Sequence, residues 1–199
     1  MLAQRARDTA ANLGQWVERL VHAHRRRKAR RQLTEQQVHS LLFLCQGNAY
    51  RSPYAAAVFK CALTAMQSTA SLNVASAGFI APGHSSPERA VSVARTRGID
   101  LSSHLSTLVT PQSVIAADLV VVMSEDQAQR IRFSYGHNVR VLILGDLDPL
   151  PIESRTITDP WGCDVEIVDQ VYSRIDRCVV QLAKLIAYAD SGRPSVCSI

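Results

Sequence analysis

The sequence predicts a single doubly wound α/β domain, in which helices flank a four-stranded parallel sheet, preceded by a basic amphipathic helical extension. Short apolar runs alternate with helical patterns between residues 40 and 190, and repeated β-α units form parallel sheets with right-handed crossovers. Apolar residues make up 47% of the 199-residue chain, which is sufficient for one buried core. We therefore expect an extension at 1–39, a domain at 40–190 and a flexible tail at 191–199.

Residues 1–33 predict a helix because apolar side chains recur at the spacing of one helical face. This apolar stripe consists of Leu13, Trp16, Val17, Leu20 and Val21. A basic run follows at 24–31, so that residues 1–33 hold nine of the 22 Lys and Arg but only two of the 17 acids. This segment therefore has a charge of +7, whereas the rest of the chain has a charge of −2.

Several partners are compatible with a basic amphipathic helix: an anionic membrane surface, another protein, a second copy of the chain in a homodimer, or the chain's own domain. Nucleic acid is disfavoured because no aromatic residues are interleaved with the basic run. The sequence lacks the run of ~18–20 apolar residues that a membrane-spanning helix needs. We expect a cytoplasmic protein, either free or peripheral at a membrane.

The cysteines give no sign of a disulfide framework or a metal site. There are five of them, at Cys45, Cys61, Cys163, Cys178 and Cys197, and none forms a CxxC pair. An odd number without a framework favours reduced thiols in a cytoplasm. Their spacing matches no metal site, so we expect neither a metal nor a cofactor.

A buried strand followed by a tight loop and a helix is predicted at the start of the domain. Leu41–Leu44 are four consecutive apolar residues, as in a strand covered on both faces. Gly47 and Asn48 tolerate unusual backbone angles, and Pro53 suits the first turn of a helix over 52–68. Backbone N–H groups at such a junction form a cradle for an anion.

Three further apolar runs complete the predicted sheet. These strands are expected at 72–77, 117–123 and 139–144. The remaining helices are expected at 87–97, 125–133 and 165–189, with a polar, proline-containing loop at 146–158. Ligands in doubly wound sheets bind beyond the C-terminal ends of the strands, and Cys45, Ser76 and Ser124 are predicted there.

Cys45 and Arg51 lie six residues apart, at the two ends of the predicted loop. Backbone amides, the helix dipole and a guanidinium all stabilise a thiolate, and the same groups bind phosphate. A thiolate beneath a bound phosphoryl group is placed for in-line attack, which gives a cysteinyl-phosphate intermediate. The alternative is a structural cysteine at the end of a core strand. The combination of Cys, five residues, Arg and Ser at a strand-to-helix junction favours the phosphate site.

The segment CQGNAYRSP at 45–53 resembles the signature loop of the low-molecular-weight protein tyrosine phosphatases, which related arsenate reductases share. The resemblance extends over residues 40–190. It implies that Cys45 is the nucleophile, that Arg51 clamps the phosphate and that the rest of the loop contacts the substrate. The implied substrate-binding residues of the loop are Gln46, Gly47, Asn48, Ala49, Tyr50 and Ser52.

Asp159, in the sequence TDPWG at 158–162, is the candidate general acid. A carboxylic acid that faces the phosphate protonates the leaving oxygen and later activates the hydrolytic water. From the residues alone, an Asx turn capping the last helix is an equal alternative. The family has an Asp-Pro-aromatic motif here, which implies the catalytic role. Trp161 and Phe79 would then supply aromatic walls for the leaving group.

A support network is also implied by the resemblance. In the family, such residues hold the loop open and let a hydroxyl donate to the thiolate, because hydrogen bonds of this kind fix the geometry of a site. The matching residues are Asn48, Ser52, Ser76 and His104.

Two departures from the family bear on function. Many members have a second cysteine at the position of Tyr50, which protects the nucleophile through a reversible disulfide. Here Cys163 is a candidate to replace it, and a purely structural cysteine is the alternative. Ala49 matches neither the Ile frequent in the tyrosine phosphatases nor the Thr of the phosphoarginine phosphatases.

We therefore predict a metal-independent phosphatase that hydrolyses phosphotyrosine or other aromatic phosphomonoesters. The alternatives are a phosphoarginine phosphatase, an arsenate reductase of the same fold, and a non-catalytic module that binds phosphate. Arsenate reduction needs two further cysteines to relay a disulfide, and residues 124–138 contain none. The presence of all three catalytic residue types counts against the non-catalytic module.

Overall fold

The computed structural model describes residues 2–67 and 72–191, with side chains over 18–67 and 72–189. The helices are α1 (Leu2–Glu35), α2 (Arg51–Ala65), α3 (Glu88–Thr96), α4 (Pro111–Ile115), α5 (Glu125–Tyr135) and α6 (Val165–Ser191). The strands are β1 (Ser40–Cys45), β2 (Asn73–Gly78), β3 (Leu119–Val122) and β4 (Val141–Ile143). A 3-10 turn at Leu144–Leu147 follows β4 directly.

The four strands form one parallel sheet in the order β2-β1-β3-β4, which confirms the predicted doubly wound α/β architecture. Because β1 lies inside the sheet, its C-terminal residue Cys45 is flanked on both sides. Cys45 is in register with Gly78 at the end of β2, and the preceding Leu44 is in register with Val122 of β3. The fold thus places Cys45 at the centre of the edge where ligands of such sheets bind.

Each face of the sheet is covered by its own apolar core. Alternate strand residues such as Phe43 and Val121 join the larger core, which includes buried residues of α2, α3 and α6. Their neighbours, such as Leu42 and Val120, join a smaller core with α5. Burial on both faces explains why these strands are continuous apolar runs in the sequence.

The second half of α1 packs on the body of the domain, against α6 and the 3-10 turn. The side chains of His22, Ala29 and Leu33 are buried in this contact. Leu20, a member of the predicted apolar stripe, is 68% exposed, because at 100° per residue it points away from these three. The helix is confirmed, but Leu20 does not lie on the face that packs on the domain, and Val21, the other described member of the stripe, is half-buried.

The chain around β4 and before β3 also differs from the prediction. The apolar run at 139–144 is only partly a strand, because the chain turns into a 3-10 helix that buries both Leu144 and Leu147. These residues are three apart and share one side of such a helix. The short helix α4 was not predicted, since five residues show no periodicity. It is stabilised by a capping box between Thr110 and Ser113.

Two parts of the prediction lie outside the described residues. They are the side chains of Leu13, Trp16 and Val17 and the tail after Ser191. Within the described part, no helix combines the length and the apolar character needed to cross a bilayer.

Candidate active site

The loop at 46–50 connects the end of β1 to the start of α2 and curls tightly over the end of β2. Asn48 has a φ of +49°, a left-handed conformation that Asn tolerates better than most residues. A Cβ atom on Gly78 would lie 2.7 Å from the backbone N of Asn48 and 2.9 Å from the carbonyl carbon of Gly47. Only glycine therefore allows β2 to approach the loop this closely.

The thiol of Cys45 lies in a network of hydroxyl and amide groups. Its Sγ is 3.0 Å from Ser52 Oγ. Asn48 Nδ2 donates to Ser52 Oγ at 2.9 Å and to Ser76 Oγ at 3.0 Å. Because Ser52 Oγ accepts this hydrogen bond from Asn48, its single proton points elsewhere, and two acceptors lie within reach of it: the sulfur of Cys45 at 3.0 Å and the carbonyl of Ala77 at 3.3 Å. The arrangement places a hydroxyl group within hydrogen-bonding distance of the sulfur.

Asn48 is itself fixed by the segment that follows α3. Its side-chain oxygen accepts a hydrogen bond from the backbone N of Thr107 at 2.8 Å. Its backbone carbonyl lies 2.8 Å from His104 Nε2, and a carbonyl only accepts, so Nε2 carries the proton. On the opposite side, the Tyr172 hydroxyl of α6 donates to the carbonyl of Tyr50 at 3.4 Å. The loop is thus held from both sides.

The guanidinium of Arg51 is buried and contacts the segment that contains Ile157 and Asp159. Its Nη1 donates to the carbonyl of Ile157 at 3.0 Å, and its Nη2 forms a salt bridge with the carboxylate of Asp159. Arg51 Nε is buried and has no hydrogen-bond partner among the described residues. A buried N–H group without an acceptor destabilises the folded protein. A negatively charged phosphate oxygen would be a suitable acceptor for this positively charged group.

A cavity of about 650 Å³ opens above the loop. Its lining consists of Cys45, Gln46, Gly47, Ala49, Tyr50, Arg51, Ile80, Ala81, His84, Ser85, Asp159 and Trp161. The rings of Tyr50 and Trp161 meet edge to face, 6.1 Å apart at 82°, and form one wall. Burial raises the pKa of the Tyr50 hydroxyl against the opposing effect of Arg89, so this wall is uncharged at neutral pH.

The cavity thus brings a cysteine, an arginine and an aspartate together at the end of a parallel sheet. The family model that describes the low molecular weight phosphotyrosine protein phosphatases matches residues 40–190. The chain belongs to this family. The match begins at β1 and includes α6, so it leaves α1 outside.

Curated relatives within the family differ in their stated substrates. The protein-arginine-phosphatase of Bacillus subtilis (strain 168) is 31% identical over 146 residues, or 72% of this chain and 94% of the relative. The low molecular weight protein-tyrosine-phosphatase Ptp of Acinetobacter johnsonii is 30% identical over 155 residues, or 75% of this chain and 99% of the relative.

Solved structures share the fold. The tyrosine phosphatase amsI of Erwinia amylovora superposes with a TM-score of 0.65 and 25% identity, covering 74% of this chain and 93% of that one.

The structure places the implied phosphatase residues in two layers. Gln46, Gly47, Ala49 and Tyr50 line the cavity with the three candidate catalytic residues. The side chains of Asn48 and Ser52 lie beneath the loop instead, where they join Ser76 and His104 in the hydrogen bonds described above. Both were expected to contact the substrate as well, and their side chains do not line the cavity.

Phe79 requires a correction. The resemblance implies an aromatic wall at the entrance, but the Phe79 side chain is only 7% exposed and does not line the cavity. It packs in the smaller core, and the guanidinium of Arg130 lies 4.4 Å from its ring centroid. Burial of a phenyl ring together with a cation–π contact outweighs exposure at the rim. Ile80 takes the place of Phe79 in the lining.

Two residues that fix the loop were missed by the sequence analysis, namely Thr107 and Tyr172. Thr107 acts through its backbone N–H in an irregular segment, where no sequence pattern predicts a contact. Tyr172 lies on α6, far along the chain from the loop, and was counted only as an ordinary helical residue. Its ring stacks on that of Tyr54 at 3.7 Å, which directs its hydroxyl towards the loop.

The described cysteines, Cys45, Cys61, Cys163 and Cys178, are all free. Cys163 is half-buried beside Trp161, with its Sγ 3.9 Å from the carbonyl oxygen of Trp161. Its role as a protective thiol remains a prediction. Among the described residues, no group of His, Cys, Asp and Glu side chains is arranged to hold a metal ion.

Proposed function

We propose that the chain is a metal-independent protein tyrosine phosphatase in which Cys45 is the nucleophile, Arg51 the phosphate clamp and Asp159 the acid and then the base. The observation that supports this assignment is that all three side chains line one cavity at the C-terminal edge of the sheet. Membership in the phosphatase family supports it independently. The loop residues that line the cavity would hold the phosphoryl group, and Trp161 would contact the leaving group.

The proposed reaction has two steps. The Cys45 sulfur attacks phosphorus, the bond from phosphorus to the leaving oxygen breaks, and Asp159 gives its proton to that oxygen. Asp159 then removes a proton from a water molecule, which attacks the cysteinyl phosphate, and the thiolate leaves again. The loop amides and Arg51 stabilise the charge on the phosphoryl oxygens in both steps.

Because Asp159 forms a salt bridge with Arg51, binding of the substrate would also free the Asp159 carboxylate. A phosphate dianion that binds Nη2 of Arg51 displaces the Asp159 carboxylate from that nitrogen. The displaced side chain would then lie beside the leaving oxygen, within reach to give it a proton. Binding would thus release the acid that the first step needs.

A phosphotyrosine peptide is expected to be hydrolysed with about tenfold higher kcat/KM than a phosphoarginine peptide of the same sequence. The edge-to-face wall of Tyr50 and Trp161 favours an aromatic leaving group, and one aromatic contact corresponds to a factor of about ten. Among the described residues, no carboxylate besides Asp159 lines the cavity to bind a guanidinium. Steady-state assays of phosphate release from both peptides measure the ratio.

The variant Trp161→Ala tests the role of this wall. It should reduce the preference for the phosphotyrosine peptide, whereas inhibition of the enzyme by inorganic phosphate should be unchanged. A preference for phosphoarginine would instead assign this chain the substrate stated for its relative from Bacillus subtilis. Conversion of arsenate in a thiol-dependent assay would assign it arsenate reduction.

We also propose that the outer face of α1, formed by Arg19, Leu20, Arg27, Arg30 and Arg31, binds an anionic membrane surface. These side chains are exposed, and residues 19–34 contain seven Lys and Arg but no acid, although Arg31 forms a salt bridge with Glu35 just beyond them. Leu13 and Trp16 precede Leu20 by seven and four residues, spacings that keep residues on one helical face. Apolar and basic residues on one face are typical of helices that lie on anionic lipid.

The double substitution Arg27→Glu and Arg30→Glu should weaken sedimentation with phosphatidylserine-containing vesicles about 30-fold or more, because each basic residue near such a surface contributes about 1 kcal/mol. The control is Lys60→Glu with Arg95→Glu, which changes the net charge equally at exposed sites of the domain and should sediment like the unsubstituted chain. Equal sedimentation of the two variants would contradict the proposal. A homodimer that only the first variant loses, without vesicle binding, would assign the face to a second copy.

A further inference from the structure

We infer that α1 braces the segment 148–159, called the acid loop here, and that His22 is a positioning residue for Asp159. The inference rests on the proposed function, since it concerns the acid of that reaction. The bracing helix α1 lies outside the part of the chain that the phosphatase family model matches. It would make general acid catalysis in this protein depend on the N-terminal extension.

The contact begins at a buried histidine. His22 is only 6% exposed, and its Nε2 lies 3.0 Å from the backbone carbonyl of Asp148, 126 residues further along the chain. Because a carbonyl only accepts, Nε2 must carry the proton. This hydrogen bond fixes the first residue of the acid loop to α1.

The side chain of Asp148 fixes the same residue to α6. Its carboxylate is fully buried and accepts hydrogen bonds from Arg174 Nε at 3.1 Å and from Arg177 Nε and Nη2 at 3.2 Å. It also accepts from the backbone N of Leu150 at 3.2 Å. Asp148 thus connects α1, α6 and the acid loop.

The far end of the acid loop is held by the same arginine. Arg174 Nη1 donates to the carbonyl of Thr156 at 2.9 Å, and its Nη2 donates to the carbonyl of Ser154 at 2.6 Å. The next residue, Ile157, accepts from Arg51 at 3.0 Å, and Asp159 follows two positions later. A shift of Asp148 would therefore move Arg174 and, through it, the chain that leads to Asp159.

The test compares two substrates that differ in their need for the acid. Phenyl phosphate has a poor leaving group and depends strongly on proton donation, whereas p-nitrophenyl phosphate depends on it weakly. The readout is the ratio of kcat/KM for the two substrates in one sample of full-length chain. This ratio does not depend on the fraction of folded protein, so a destabilised variant remains informative.

His22→Leu removes the N–H donor and should lower kcat/KM for phenyl phosphate roughly five- to tenfold more than for p-nitrophenyl phosphate. His22→Gln keeps an N–H group and should restore much of the ratio. The matched control is His24→Leu, which makes the same change at an exposed position of the same helix and should leave the ratio unchanged. Asp159→Asn shows how far the ratio falls when the acid itself is lost.

An unchanged ratio in His22→Leu, alongside a lowered ratio in Asp159→Asn, would overturn the brace and leave the proposed function intact. This holds even if His22→Leu lowers kcat/KM for both substrates, because equal losses leave the ratio unchanged and would indicate a purely structural role. An unsubstituted chain that hydrolyses neither substrate would overturn the proposed function, and the brace with it.

Discussion

Replacing Cys45 with serine is expected to abolish hydrolysis of p-nitrophenyl phosphate, with a loss of at least ~10⁴-fold, the scale seen when a catalytic nucleophile is removed. The sulfur lies at the buried end of β1 beneath the cavity. A serine hydroxyl at this position is not ionised at neutral pH, and it is a much weaker nucleophile than a thiolate. The neighbouring Ser52 hydroxyl is too weakly basic to remove the proton of the new hydroxyl. Release of p-nitrophenol in the presence of a metal chelator measures the loss.

The control for this variant is Cys61→Ser, which makes the same change at an exposed position of α2 and should retain full activity. Inorganic phosphate should still bind to the Cys45→Ser variant, because Arg51 and the loop amides are unchanged. Persisting turnover in Cys45→Ser would exclude the cysteinyl-phosphate mechanism. Tight phosphate binding without turnover in the unsubstituted chain would identify a non-catalytic binding module.

The sheet and the loop could be predicted because both leave a local pattern in the sequence. Strands covered on both faces, such as β1 and β3, are continuous apolar runs. The loop at 46–50 and the two residues that flank it combine a cysteine, an arginine and turn residues within seven positions. In each case neighbouring residues share one structural role, so short-range reasoning is sufficient.

The position of α1 could not be predicted, because an apolar stripe shows that a face exists but does not show what covers it. The helix packs through His22, Ala29 and Leu33, a set with one polar and one small residue. The partner of His22 is a backbone carbonyl 126 residues away, and no sequence pattern predicts such a contact. Leu20 belongs to the predicted apolar stripe, whose partner the sequence left open, and it is exposed.

Phe79 illustrates a related limit. Its type and position beside the loop suited a substrate wall, but burial in the smaller core competes with exposure at the rim. The contact with Arg130 of α5 adds to the burial, and it joins residues about 50 positions apart in the sequence. Which of two apolar environments a side chain occupies is decided by tertiary packing.

Replacing Asp159 with alanine is expected to lower kcat/KM for phenyl phosphate by about 10²–10⁴-fold, the usual contribution of a general acid. The loss should be smaller for p-nitrophenyl phosphate, whose leaving oxygen needs less protonation. The carboxylate also forms a salt bridge with Arg51 Nη2, so the substitution frees one donor of the phosphate clamp. Competitive inhibition by inorganic phosphate should therefore be at least as strong in the variant as in the unsubstituted chain.

These two results, the larger loss on phenyl phosphate and the undiminished inhibition by phosphate, distinguish a catalytic acid at position 159 from a residue with a structural role. If Asp159 only formed an Asx turn before α6, the substitution would act by removing its hydrogen bond with the backbone N of Trp161. Both substrates would then be hydrolysed more slowly by the same factor, and phosphate would inhibit less strongly as the cavity wall moved. A large loss on the poor leaving group together with undiminished inhibition by phosphate requires the carboxylate to act on the leaving oxygen. That pair of results would assign to Asp159 the proton that the first step of the reaction consumes.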